Sequence, residues 1–367
     1  MKTWRLMLVV GLIAAGIVPA VAQAPPAQAP QPAQPAPAPQ PAQPVQPSQV
    51  TLRYKFLPGD VMAYRFYLTG QGNVGISGLP AEAQAPGGQL SVPLQATITV
   101  AVRMRVLGVK PDGVATLRNV VDAVTLSGNA SFQGQSGSME VSVDAKGQHI
   151  KMNGKPVPQP PDAARQWKKM NFFGKPFVTK MDARGRLVAI QPPNLEMFKK
   201  AMPGFDFSTF YKSGMGNQFS LPEKPVSVGE SWQDTVKMPL PGVPTPLAME
   251  RTSRLMGLEK DAAGHTLAKI QQTFNVNADN LTINVPVPGP SGQTTSFSLS
   301  FDRLREAISG PLLWSVDEGK PVRMDMDVSF DMGISAAIPL PGPQGQVQPQ
   351  QMQAFAAFQG KAAMARK

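Results

Sequence analysis

The chain of 367 residues contains no cysteine. That excludes a disulfide framework and a lipid-modified cysteine behind a leader, so stability must come from packing. Histidine is nearly as scarce. His149 and His265 are far apart in sequence, each beside an expected turn. Zinc held by His and Cys, and Ser-His or Cys-His catalysis, have little material here. No Gly-x-Ser-x-Gly elbow and no Ser-x-x-Lys occurs. Tryptophan and tyrosine number only four each. No charged residue stands between Arg5 and Arg53, and no later stretch is apolar for the about 20 residues that span a bilayer.

What is present begins with a leader. Lys2 and Arg5 precede an apolar run from Leu6 to Val18, and Ala20-Val21-Ala22 forms a small-residue cleavage site. Residues 1–22 therefore read as a secretory signal peptide, which implies export to the periplasm or beyond. After cleavage no transmembrane segment is expected. Residues 23–50 are a linker of Pro, Ala and Gln, with ten prolines between 25 and 48. Proline fixes φ and removes a donor, so this arm is expected to be extended, reaching about 70 Å. The formal charge is +11, and losing Lys2 and Arg5 leaves +9. The basic residues are scattered, with short doublets such as Lys168-Lys169 and Lys199-Lys200. No basic stripe with interleaved aromatics appears, so no nucleic-acid partner is expected.

Period-two alternation dominates residues 51–338. Ile98, Val100, Val102, Met104 and Val106 alternate with Thr97, Thr99, Ala101, Arg103 and Arg105. Met62, Tyr64, Phe66 and Leu68 do likewise, as do Leu281, Ile283, Val285 and Val287. Met324, Met326, Val328, Phe330 and Met332 oppose Asp325, Asp327, Ser329 and Asp331. Such alternation implies antiparallel sheet with one wet face. Lys110-Pro-Asp-Gly113, Asp144-Ala-Lys-Gly147 and Asp182-Ala-Arg-Gly185 read as hairpin turns.

The two halves share an order of features. Gly59-Asp60 and Gly229-Glu230 each open a strand. Arg103 to Gly108 and Ser253 to Gly257 each lead into a turn, and Ser142-Val-Asp144 parallels Ser315-Val-Asp317. Two β-meander repeats are expected, at about 51–155 and 222–335. Between them, a helical insert at about 160–213 is expected, with Asp162 and Asn194 as caps. It carries Leu195, Phe198, Met202, Phe205, Phe207, Phe210 and Tyr211, the greasiest irregular stretch of the chain. Residues 339–367 read as a low-complexity tail, with Met352, Phe355 and Phe358 at helical spacing. The expected fold is all-β, mainly antiparallel, with two or three short helices, shaped as a curved sheet, a half-barrel or a sandwich.

Other constellations read as structural. Gly70-Gln-Gly72-Asn-Val-Gly75 matches the dinucleotide glycine pattern by letter, but no helix follows, so it reads as a loop. Asp325, Asp327 and Asp331 stand about 6.6 Å or more apart along a strand and cannot enclose one calcium ion unaided. The Met stripe reads as core filler rather than a copper(I) site. No metal and no cofactor is expected, nor any enzymatic activity, although carboxylates meeting in space could still build a hydrolase.

Tyr54-Lys-Phe-Leu-Pro-Gly-Asp-Val-Met-Ala-Tyr-Arg-Phe66 and Leu221-Pro-Glu-Lys-Pro-Val-Ser-Val-Gly-Glu-Ser-Trp232 resemble motifs of an uncharacterised family of exported bacterial β-rich proteins. The resemblance covers about 52–335 and implies no activity, cofactor or site residue. In outline the chain is also similar to periplasmic lipoprotein carriers with half-barrel folds. Physically, Pro222 and Pro225 interrupt pairing, Gly229 turns the chain and Trp232 starts a strand as a core anchor. The functional expectation is a non-enzymatic cell-envelope protein that binds a lipid, acyl chain or other apolar small molecule between a curved sheet and the Phe/Met-rich segment. Phe198, Met202, Phe205, Phe207 and Phe210 would line that site. The alternative is an interaction module that touches anionic envelope polymers through its basic surface.

Overall fold

A computed structural model of the chain describes residues 49–78, 89–132, 135–158, 173–191, 220–238, 247–288, 294–341 and 347–366. Among these, every regular element is a β-strand. They are β1 (Val61–Ser77), β2 (Gln89–Val109), β3 (Ala115–Phe132), β4 (Gln135–Asp144), β5 (Gly147–Met152), β6 (Lys155–Pro156), β7 (Phe177–Met181), β8 (Leu187–Gln191), β9 (Ser231–Met238), β10 (Leu247–Lys260), β11 (Thr266–Pro288), β12 (Thr294–Ser315), β13 (Lys320–Pro341) and β14 (Val347–Arg366). All belong to one open, curled antiparallel sheet, ordered β6-β5-β4-β3-β2-β1-β14-β13-β12-β11-β10-β9, with β7 and β8 branching from β3. Among the described residues the sheet is single, and the sandwich alternative does not occur. The expected helices at 162–169 and from Asn194 lie outside the described residues, as do the expected signal peptide and nearly all of the expected linker.

The hairpins follow turn chemistry. Gly113 N–H donates to Lys110 O at 2.9 Å with φ +81°, where glycine adopts the left-handed conformation without a Cβ penalty. Asp112 Oδ1 accepts from Val114 N–H at 3.0 Å. Asp182 Oδ1 does the same for Arg184 and Arg186, at 2.9 Å each. An acidic side chain thus stands in for the missing backbone acceptor in each turn.

Two expectations are corrected. The glycines at 70, 72 and 75 do not form a loop but lie inside β1, where Gly70 faces Gly360 on β14 and Ala96 on β2. A Cβ at Gly360 would come within 2.5 Å of Thr69 O and 2.8 Å of Gly70 Cα. The row Gly128–Ala96–Gly70–Gly360–Val328 crosses five strands, and its glycines leave room for close backbone approach and for the Phe358 ring, which lies where a Cβ at Gly70 or Gly360 would be. The residues expected as a tail form β14, the strand that joins the two meanders. It pairs with β1 from Tyr64↔Arg366 to Ser77↔Gln353, and with β13 from Arg323↔Ala365 to Pro341↔Val347. Met352 and Phe358 thus share one face, and Phe355 takes the other.

The core occupies one end of one face. Val50 and Val226 exchange both backbone hydrogen bonds, at 2.9 and 3.0 Å. This fixes a strap, residues 49–57, across the face. Its Leu52, Tyr54 and Phe56 alternate inward and are buried with Met62, Tyr64, Leu117, Leu255, Ile270, Leu312, Trp314 and Met364. The Tyr54 ring meets Trp314 edge-on at 4.7 Å and stacks on Phe56 at 5.2 Å. Gly319 (φ +62°) lies beneath the strap, where a Cβ would come within 2.6 Å of Arg53 O. Lys320 Nζ reaches Asp60 Oδ2 at 2.6 Å, which ties the start of β13 to the start of β1.

The two meanders begin alike. Gly59 N–H donates to Val106 O, and Val106 N–H to Asp60 O, both at 2.9 Å; Gly229 N–H donates to Leu255 O at 2.7 Å, and Leu255 N–H to Glu230 O at 3.0 Å. A bulge follows each, between Val106 and Gly108 and between Leu255 and Gly257. Ser142 and Ser315 are not placed alike. Ser142 faces Thr125 well along β3, whereas Ser315 faces Leu267 near the start of β11. The physical reason is that β3 shares one edge between β4 and β7, while β11 pairs with β12 over its length.

Candidate functional site

Beyond the strapped end, the oily face continues along β12, β13 and β14. Phe330, Met332 and Ile334 form a second buried cluster, packed with Leu299, Phe301, Leu304, Ala356 and Phe358. Register explains the membership. Leu304 faces Met332, and Met332 faces Ala356. The pairing then skips Asn280 (φ +55°) and Asp302, so Leu281 faces Phe301. That shift returns Phe301 and Leu299 to the face that Leu304 occupies.

One carboxylate interrupts this corridor. Glu306 on β12 lies in phase with Leu304 and Ile308, directly opposite Val276 on β11 and Phe330 on β13. Along this face β11 offers Gln272, Phe274, Val276 and Ala278, and β13 offers only apolar groups between Met324 and Ile334. Among the described residues Glu306 has no ion-pair partner. Glu306 is half-buried, and this desolvation alone pushes its carboxyl up from 4.5 to about 7. Placing a lone carboxylate among Val, Phe and Leu is costly, and the fold gains no bond from it. A side chain kept at such cost is a candidate functional position.

A polar island lies nearer the strap. Arg251 on β10 is 2 % exposed, and its Nη2 donates to Asp234 Oδ2 on β9 at 2.5 Å. Its guanidinium also sits 5.7 Å from the centre of the Phe274 ring. Burial pulls the Arg251 pKa down, and Asp234 opposes that shift. Gln272 Nε2 donates to Ser253 Oγ at 3.4 Å beside it. Arg251 and Glu306 are two strand spacings and two residues apart, about 12 Å, too far to pair. The island pins the edge strand β9 to β10, with Arg251 buried and Asp234 partly exposed.

The expected lining residues Phe198, Met202, Phe205, Phe207 and Phe210 lie outside the described residues. The Met stripe faces inward, with Met326 and Val328 buried in the main core and Phe330 and Met332 in the second cluster. Opposite it, Asp325 binds Arg323 at 2.6 Å and Asp331 binds Arg303 at 2.8 Å. His149 is exposed on β5, and His265 Nδ1 lies 3.1 Å from Asp261 Oδ2 within one turn. Glu306 was missed in the sequence, yet its signal is plain: Leu304-Arg-Glu-Ala-Ile308 places a carboxylate in step with two aliphatic neighbours.

No protein-family model matches the chain, and no curated protein matches it in sequence. Function is therefore argued from these residues.

Proposed function

We propose that the chain is a non-enzymatic, exported cell-envelope protein that holds an apolar ligand, a lipid or an acyl chain, against the oily face of its sheet. The observation that carries this is the corridor of Leu304, Phe330, Met332 and Ile334, set apart from the strapped core and ending at the lone carboxyl of Glu306. An extended chain suits a corridor of this kind, and a single polar group at its end fixes orientation. With a pKa of about 7, Glu306 meets a hydroxyl or acid headgroup as a neutral donor at acidic pH and an amine as an anion at alkaline pH. Export rests on the charged, apolar and small-residue order of residues 1–22. The matching bridges at Gly59 and Gly229 support a reading of the fold as two β-meander repeats curled as a half-barrel.

The test is native mass spectrometry of protein purified from envelope extracts, followed by displacement of a fluorescent fatty acid. A copurifying lipid and saturable displacement are expected. Protein that carries no lipid and takes up no fatty acid would overturn the proposal.

A basic surface for anionic polymers receives less support. Arg103, Arg186, Arg303, Arg305 and Arg323 each bind an aspartate, within 2.8 Å.

A further inference from the structure

The opposite face of the sheet carries a regular row of another kind. Ser138, Asn129, Gln95, Gln71, Gln359 and Ser329 stand on six adjacent strands, from β4 to β13, each directly opposite the next in register. Neighbouring strands are about 4.8 Å apart, so the row runs about 24 Å across the sheet. Every member but Ser329 is exposed. Gln71, Gln95, Asn129, Gln359 and Ser329 line a trough of ≈ 780 Å³, which also touches Arg305, Asp331, Phe330 and Phe358, and beside it Gln95, Asn129 and Ser138 line a second hollow of ≈ 270 Å³. Concavity at this row distinguishes it from an ordinary wet strand face.

The chemistry of the row is uniform. Each amide offers two donors and an acceptor, and each hydroxyl offers both roles. Among the described residues the side chains of Asn129, Gln95, Gln71 and Gln359 have no hydrogen-bond partner, so the row does not bond to itself. Charges at its borders cancel locally: Arg305 binds Asp279 at 2.6 Å, Arg303 binds Asp331 at 2.8 Å and Lys151 binds Glu140 at 2.9 Å. An anionic polymer finds no net positive track here, and an apolar partner would leave four amides unsatisfied. A linear molecule bearing hydroxyls on every unit, with a repeat close to the strand spacing, satisfies them all. The length of one pyranose unit is of that order.

We infer that this amide row is a binding track for a neutral, linear polysaccharide. The track lies on the face away from the apolar corridor and stands independently of the lipid proposal.

The test is isothermal titration of the full chain with cellohexaose and chitohexaose, and affinity electrophoresis through dextran. At least one is expected to bind saturably, with an affinity that does not change between 0.05 and 0.5 M NaCl, because no ionic contact is involved. The double substitution Gln71→Ala and Gln359→Ala removes two exposed side chains and leaves folding intact. It should weaken binding at least tenfold with an unchanged circular dichroism spectrum, while Glu306→Gln should bind as the wild type does. Failure of all three glycans to bind would overturn the inference. So would undiminished binding by the double variant, or binding that vanishes at 0.5 M NaCl, which would mark ionic contacts instead.

Discussion

Glu306→Gln should alter how stability depends on pH, in a direction fixed by the structure. The folded-state carboxyl sits at about 7 and the ordinary value is 4.5. A group raised in the native state binds its proton more tightly there, so the folded form is favoured most at low pH. Stability therefore falls as pH rises from about 4.5 to about 7, then levels off. The full swing is about 3 kcal/mol, from about 1.4 kcal/mol per unit of displacement. Glutamine cannot ionise, so the variant loses this slope. Any fixed cost of burying its amide shifts the curve without bending it. Urea unfolding of both proteins, followed by tryptophan fluorescence at pH 4.5, 6, 7 and 8.5, measures the difference directly. The variant should gain about 2–3 kcal/mol on the wild type between pH 4.5 and 8.5, since all other titrations cancel. A gap that stays constant within about 1 kcal/mol, or that widens toward acid, would refute the burial argument.

Three other outcomes follow from the packing. Asp234→Ala strips a buried guanidinium of its 2.5 Å carboxylate and should cost about 3 kcal/mol, whereas replacing Arg251 and Asp234 together with Met and Leu should cost less in the same urea assay. Gly360→Val forces a side chain into backbone already within 2.8 Å and should lower the thermal midpoint by several degrees, while Ala357→Val beside it should not. Deleting residues 347–367 removes the strand between β1 and β13 and exposes both their edges, so the truncated chain should aggregate on expression; a soluble, cooperatively folding product would contradict the register described above.

Much of the strand pattern was readable because side chains alternate with a period of two. Met324 to Met332 faced inward as expected, and Lys110-Pro-Asp-Gly113 and Asp182 to Gly185 turned as expected, since both signals are local. The errors came where distant pairing decides. Gly70 and Gly72 look like loop residues by composition, yet Gly70 serves a close approach to Gly360 and Gly72 one to Ala357 and Phe358, nearly 300 positions away. The end looked like a tail because its composition is biased, and Phe355 and Phe358, three apart, suit a helix but split across the faces of a strand. The carboxylate in step with Leu304 and Ile308 was legible but passed over, whereas the amide row could not be found before register was known. A row is a property of neighbouring strands, and the sequence scatters its members from Gln71 to Gln359.

The most direct test of two faces with two ligands uses the cysteine-free background. A single cysteine at Ala356 reports on the corridor beside Met332, and one at Ala357 reports on the trough beside Asp331. Each is labelled with an environment-sensitive dye and titrated with oleate. A saturable blue shift at 356 with none at 357 is the predicted result. Equal responses at the two positions, or a response at 357 alone, would contradict an apolar ligand held on the oily face.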